Sequence, residues 1–208
     1  MAHIPDGVLS PPVLIGGWTL AAAGIGLALR HLDDTRIAKT AILSAAFFTV
    51  SLLMIPVGPT SLHLLLSALM GLTIGIATIP AVMVALTLQM VLFGVGGLTT
   101  LGINTVNVAL PGVLVGLVAG PLVTRLALPQ AMICAGCAAA AAVMLTAGGV
   151  ALALLLSDSV YSVSAQVLGA TYVPLLVVEA LVTAFAVGFL KRVKPEIFAP
   201  APRPLAVG

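Results

Sequence analysis

The chain has 208 residues, 61% of them hydrophobic and 7% charged, with a mean hydropathy of +1.28. A soluble domain carries roughly a quarter charged residues, so this chain has too little polar surface to face water on all sides. Its net charge of +2, eight unclustered basic residues against six acidic ones, excludes a nucleic-acid surface. Aromatics make up only 4%, and with 21 Gly the Ala-, Val-, Leu- and Ile-rich remainder suits close helix packing in lipid. The first residues lack a basic n-region, so no signal peptide is expected and the N-terminus is read as retained, apart from Met1.

A membrane-crossing helix needs about 20 apolar residues. Such runs are predicted over 12–29, then 38–55, the latter ended by Pro56, Gly58 and Pro59. The stretch 62–96 is too long for one span and slightly short for two. Thr78-Ile79-Pro80 offers a break, because Pro favours the first turn of a new helix. Further spans are predicted over 112–126, 129–156 (with Gly148-Gly149 as a kink) and 172–190. The basic residues choose between the two readings of 62–96. Two helices there put Arg30, Arg36, Lys39, Arg125, Lys191, Arg192, Lys194 and Arg203 all on the cytoplasmic side, as Lys and Arg prefer. The expected fold is therefore all-α: a polytopic helix bundle in the plasma (inner) membrane. It has about seven transmembrane helices, with the N-terminus outside and the C-terminus inside. One domain is expected over 1–194, followed by a flexible, Pro- and Ala-rich cytoplasmic tail over 195–208.

This topology puts His3 and His63 on the outer face, with His63 opening the third helix, and His31 on the inner face. The Thr-, Asn- and Gly-rich loop 97–108 is also outside. A terminal amine, the backbone amides after it and a nearby imidazole can wrap one ion in a plane, and planar nitrogen donors point to Ni(II) or Cu(II). If Met1 stays, His3 is third and two amides precede it; if Met1 is removed, Ala2 carries the amine and His63 has room to complete the square. The plain alternative makes His3 a polar residue on an exposed tip. Against it stand the turn-forming Pro5, Asp6 and Gly7, which fold the terminus back, and the placing of His63 on the same side. Cys134 and Cys137 form a C-x-x-C within Ala-rich apolar sequence and are read as inert buried thiols.

The segment His3-Ile4-Pro5-Asp6-Gly7-Val8-Leu9-Ser10 resembles the opening of the substrate-binding subunits of energy-coupling-factor nickel and cobalt transporters, the NikM/CbiM family. Thr60-Ser61-Leu62-His63-Leu64-Leu65 resembles that family's Thr-Ser-x-His-Leu-Leu segment. Residues 89–107, with Leu92-Phe93-Gly94 and Gly96-Gly97-Leu98-Thr99-Thr100-Leu101-Gly102, resemble its most recognisable stretch. Pro174 to Glu179 and the ending 190–197 resemble its last helix. The resemblance implies an N-terminal segment, residues 1–10, that inserts into the bundle. It implies metal ligands from the nitrogens of Met1 or Ala2, the side chain of His3, and His63. Ala2 departs from the family's usual Met before the His. The Ile-Pro-Asp-Gly form resembles the nickel branch, whereas the cobalt branch more often has Met-Glu-Gly.

Gln89, Asn104 and Asn107 are candidates to hydrogen-bond the ligands or hold the inserted terminus, with helix–helix hydrogen bonds as the alternative. Glu179, about 10 Å along the last helix from its outer end, is read as protonated or bonded to the N-terminal segment, with a metal-ligand role as a further alternative. No G-x-x-x-x-G-K-[ST] phosphate loop is present. The resemblance therefore implies partners: a transmembrane coupling (T) subunit, ATPase subunits and a small accessory membrane subunit. Gly17, Ala21, Ala22 and Gly26 offer small faces either for docking or for packing within the chain. The cargo is read as Ni(II), with Co(II) as the alternative, and no organic cofactor or nucleic-acid partner is expected. A self-powered channel or carrier is a further alternative. An enzyme is disfavoured, since neither G-x-S-x-G nor His-Glu-x-x-His occurs.

Overall fold

The structure is a computed structural model that describes residues 3–53, 55–57 and 60–198. Met1, Ala2 and most of the expected tail, residues 199–208, lie outside the described residues. Helix α1 (Pro11–Leu29) opens with two prolines, whose fixed φ suits a first helical turn. Its buried stripe is Gly17, Ala21, Gly24 and Ala28, spaced for one helix face. Of the four small residues singled out above, Gly17 and Ala21 pack within the chain, whereas Ala22 and Gly26 are exposed. Helix α2 (Asp34–Ser51) is capped by Asp33, whose side chain accepts from the Arg36 amide. A short ribbon follows, β1 (Ile55–Val57) pairing antiparallel with β2 (Thr60–Leu62). Then come α3 (Ser67–Ile74), a 3-10 turn (Gly75–Ala77) and α4 (Thr78–Phe93). The long helices α5 (Leu101–Arg125), α6 (Leu128–Ser157) and α7 (Ser162–Val193) complete the bundle.

Among the described residues, five segments are long and apolar enough to cross a membrane: Pro11–Leu29, Ser67–Phe93, Leu101–Arg125, Leu128–Ser157 and Thr171–Val193. Helix α2 has 18 residues but carries Asp34, Arg36 and Lys39. Helix α3, at eight residues, is only about 12 Å long and does not cross alone. Between α3 and α4 the chain reverses. Ser67 lies against Gly112, and Gly71 against Gly112 and Gly116, so α3 runs alongside α5 in the same sense. Gly75 then breaks the helix with φ +56° and ψ −127°. Helix α4 runs back to bring Leu86 and Met90 beside Leu101 and Asn104. Pro80 sits in the first turn of α4, where a proline is tolerated.

Several boundaries differ from those predicted. Helix α5 begins at Leu101, not 112, so Asn104 and Asn107 are helical and not in an outer loop. Their polarity hid the helix from a hydropathy reading, yet both are buried against protein and not lipid. Helix α7 begins ten residues earlier than expected, which places Glu179 roughly 26 Å from its start instead of 10 Å. His63 does not open a helix; it lies four residues before α3, after the unforeseen ribbon. The expected tail is also shorter, because Pro195–Phe198 forms a 3-10 turn. There the buried Phe198 packs with Val123 and Val187, and its carbonyl accepts from Thr124 Oγ1 at 2.9 Å.

Close backbone approach ties α3 to α5. A Cβ at Gly71 would lie 1.8 Å from the Gly112 carbonyl oxygen, and one at Gly112 would lie 2.1 Å from that of Ser67. The obstacles are backbone atoms, which cannot rotate aside. Gly112→Val is expected to destabilise the bundle by at least about 2 kcal/mol, lowering the thermal unfolding midpoint in detergent. Gly120→Ala, on the same helix but with nothing within 4 Å of its added Cβ, is expected to leave it unchanged.

Candidate metal centre

The segment before α1 folds inward. Ile4 and Leu9 are buried in a small cluster with Ile103, Val150, Ala153 and Leu154, and the Ser10 amide donates to Ser157 Oγ at 3.0 Å. Asn104 grips this segment at one residue from both sides. Its Oδ1 accepts from the Ile4 amide at 3.0 Å, and its Nδ2 donates to the Ile4 carbonyl at 3.0 Å. Thr100 Oγ1 donates to the same carbonyl at 2.7 Å. An extended backbone entering a bundle must have its polar groups satisfied by protein, and here a side-chain amide does the work of a neighbouring strand.

Asp6 provides the second anchor. Its carboxylate accepts from the amides of Leu98, Thr99 and Thr100 at 3.0–3.2 Å and from the Thr99 hydroxyl. These groups lie at the start of α5, where free N–H groups and the helix dipole favour an anion. The Thr99 hydroxyl bond, with the backbone amides, holds the Asp6 carboxyl below its ordinary value, opposed by burial. Gly97 makes the approach possible, since a Cβ there would lie 2.1 Å from Asp6 Oδ1. Trp18 closes the same loop by donating from Nε1 to the Thr99 carbonyl at 3.0 Å.

These anchors deliver His3 to His63. Both are buried, at 6% and 4% exposure, with ring centres 4.8 Å apart and planes inclined by 26°. An ion bound at about 2 Å lies about 3 Å from each ring centre, so two adjacent imidazoles on one ion stand about 4.5 Å apart. The observed separation is within reach of that arrangement. His63 Nδ1 lies 3.1 Å from the Leu64 carbonyl. If the proton is placed there, the lone pair falls on Nε2, and a ligating His commonly donates its other ring nitrogen in this way. Nε2 is buried and has no hydrogen-bond partner among the described residues. Burial, and next the neighbouring His63 ring, lowers His3 to about 3; burial also lowers His63, opposed by its bond to Leu64. Both rings are thus neutral near pH 7, the state a metal needs.

No group of three His, Cys, Asp or Glu side chains converges among the described residues. Two imidazoles alone do not fill a coordination sphere, so an ion held here needs further donors, and backbone nitrogens are one source. The candidates for those, Met1 and Ala2, lie outside the described residues. His31 stands apart at the end of α1, with Nδ1 2.9 Å from the Leu27 carbonyl. Gln89 does not hold the inserted segment; its Nε2 donates to Ser51 Oγ, joining α4 to α2. Asn107 is buried under Gly149, and its Nδ2 has no partner among the described residues. Glu179 bonds not to the N-terminal segment but to the amides of Leu65 and Leu66, because α7 packs behind the segment that carries His63. Asp6 and Thr100 are the residues that sequence reasoning missed as anchors. Cys137 is exposed on the surface of α6 and Cys134 is half-buried, so neither is the fully buried thiol expected.

Residues 3–197 match the model of a family described as the cobalt uptake substrate-specific transmembrane region, CbiM. The chain belongs to that family. It is a multi-pass membrane protein of a metal-uptake family. A protein of Haemophilus influenzae named for metal transport is 33% identical over 198 residues, covering 94% of this chain and 96% of its own. The fused nickel transport protein NikMN of Rhodobacter capsulatus is 30% identical, over 98% of this chain and 66% of its own. Among solved structures, a transition metal transporter superposes with a TM-score of 0.73 at 26% identity, covering 92% of this chain and 93% of that one.

Gly97→Ala pushes Asp6 off its amides, so the N-terminal segment should become sensitive to protease while the helices stay protected. The histidines set an acid limit. An unfolded His titrates near 6.5, whereas folded His3 stays neutral to about 3, so between these values the unfolded chain binds more protons. Stability of the metal-free protein in detergent is therefore expected to fall as pH drops from 6.5 towards 3. His3→Phe should flatten that part of the profile.

Proposed function

We propose that the chain captures Ni(II) at the outer membrane face, as the substrate-specific subunit of an ATP-driven energy-coupling-factor uptake transporter. The convergence of His3 and His63, with a buried Nε2 that lacks a partner among the described residues, carries this reading. His3, His63 and backbone nitrogens of Met1 or Ala2 form the proposed ligand set. A planar set of nitrogens favours Ni(II), and a relative named for nickel transport matches nearly the whole chain. Co(II) is the second reading, favoured by the description of the matching family.

The proposed topology has seven membrane helices, with α3 as a short one, and the N-terminus outside. Lys191 Nζ donates to the carbonyls of Val123 and Leu126, so the C-terminal ends of α5 and α7 share one end of the bundle. Helix α1 meets the start of α5 through Gly17 and Trp18 and reaches Ile79 by Gly24, so it descends towards that same end. The described basic residues therefore gather opposite the two histidines, as the preference of Lys and Arg for the cytoplasmic side requires. With no phosphate-cradling loop of its own, the chain depends on a coupling subunit and ATPase subunits for energy, with a small accessory membrane subunit alongside. Capture proceeds by closure of the N-terminal segment over the ion. Deprotonation of a ligating amide releases protons as the metal binds. Docking to the coupling subunit then reorients the bundle or opens the segment inward.

Calorimetric titration of the purified chain in detergent, on protein of known intact mass, tests the cargo. One Ni(II) per chain, bound more tightly than Co(II), is expected. His63→Ala should weaken it by more than about 100-fold, beyond the effect of losing an outer partner, and His31→Ala should not. Equal or tighter Co(II) binding selects the second reading, and no binding of either ion sinks both. Uptake in cells that lack the ATPase partners would instead favour a self-powered carrier.

A further inference from the structure

Residues 63–66 carry His63 into the bundle without helical structure. Leu66, immediately before α3, has φ +48°, a left-handed conformation that side-chain-bearing residues seldom adopt. Irregular backbone inside a membrane protein survives only where protein satisfies its polar groups. Two amides of this segment, on Leu65 and Leu66, donate to a single oxygen, Oε1 of Glu179 on α7, with the Leu66 bond at 3.0 Å. Glu179 is 1% exposed, and no Lys, Arg or His pairs with it in a salt bridge among the described residues. An ionisable group so placed is costly, and the two amides are what it serves. Without that acceptor, the Leu65 and Leu66 amides are left buried and unpartnered, and residues 63–66 must shift to find another. Such a shift moves the backbone at His63, two residues away, and with it the ring whose Nδ1 is set against the Leu64 carbonyl.

We propose that Glu179 is a positioning residue for metal capture: its carboxyl oxygen holds residues 63–66 in the non-helical turn that presents His63 to His3. The consequence for affinity rests on the nickel-capture reading above; the effect on His63 itself does not. Helix α7 would thereby join the metal centre to the opposite end of the bundle, where Lys191 is tied to the end of α5.

The test compares Glu179→Ala, Glu179→Gln and, as a control for general loosening of α7, Val187→Ala. Val187 is a buried core residue two turns further along, in a different core cluster from Leu65. Two readouts are taken on monodisperse protein. The first, on metal-free protein, is the rate at which diethyl pyrocarbonate modifies His63, followed by mass spectrometry with exposed His31 as internal reference. The second is Ni(II) affinity by calorimetry. Glu179→Ala is expected to speed His63 modification at least tenfold and to weaken Ni(II) binding by 10–100-fold. Glu179→Gln keeps a carbonyl acceptor for the same amides, and both readouts should stay within about threefold of the parent, well short of that loss. Val187→Ala should lower thermal stability and move neither. Should Glu179→Ala fail to fold, the Gln variant decides. A folded Gln variant with an exposed His63 or a tenfold loss of affinity overturns the proposal, as does an Ala variant that keeps His63 protected. If the parent chain binds no nickel, the function assigned above fails, while His63 protection still judges the role of Glu179.

Discussion

The two-sided hydrogen bonding between the Asn104 side chain and the backbone of Ile4 is the contact on which the proposed metal centre depends. It joins residues one hundred positions apart and places His3 one residue from a fixed point. It also explains why α5 must begin as early as it does. A helix starting at residue 112 would leave Asn104 on a loop, unable to hold its amide square to an incoming strand. With Asn104 one turn into a rigid helix, its orientation comes from the packing of α5 against α1, α3 and α4. The glycine contacts between α3 and α5 then gain a second meaning. They set the depth of the segment that leads into α3, and therefore the level at which His63 meets His3.

Asp6 and Thr100 reinforce the same arrangement from the water side. The carboxylate is exposed but is met by several oriented donors, and the start of α5 supplies a favourable dipole. Anchors of this kind can be opened, because each bond exchanges with water at small net cost. The Ile4 bonds lie deeper and are harder to exchange. This gradient from a soluble latch to a buried grip suits the proposed capture, in which the segment closes over an ion and later releases it.

Much of this is legible in the amino-acid sequence. Five of the apolar runs, the turn signature at Pro5-Asp6-Gly7 and the pairing of His3 with His63 on one face all came from residue types and spacing, or from the resemblance. What stayed hidden was contact between distant segments. Asp6 reads locally as a turn residue, and nothing in its neighbourhood points to amides more than ninety positions away. Glu179 reads as an acid needing a partner, but the donors are main-chain groups of Leu65 and Leu66, which any sequence would supply. Hydropathy shortens α5 because it treats Asn104 and Asn107 as facing lipid, whereas they face protein. The irregular stretch 63–66 reads as helix because its residues are apolar; its conformation is imposed by Glu179 from outside, not by local preference.

The proposed metal centre holds one ion through His3 and His63 together with backbone nitrogens of the inserted terminus. The decisive measurement is X-ray absorption at the nickel edge, on purified protein loaded with one equivalent of Ni(II). A planar site of about four nitrogen donors is expected, with the multiple-scattering signature of two imidazoles, one of which disappears in His63→Ala. A six-coordinate, oxygen-rich spectrum, or one indifferent to His63, would contradict it.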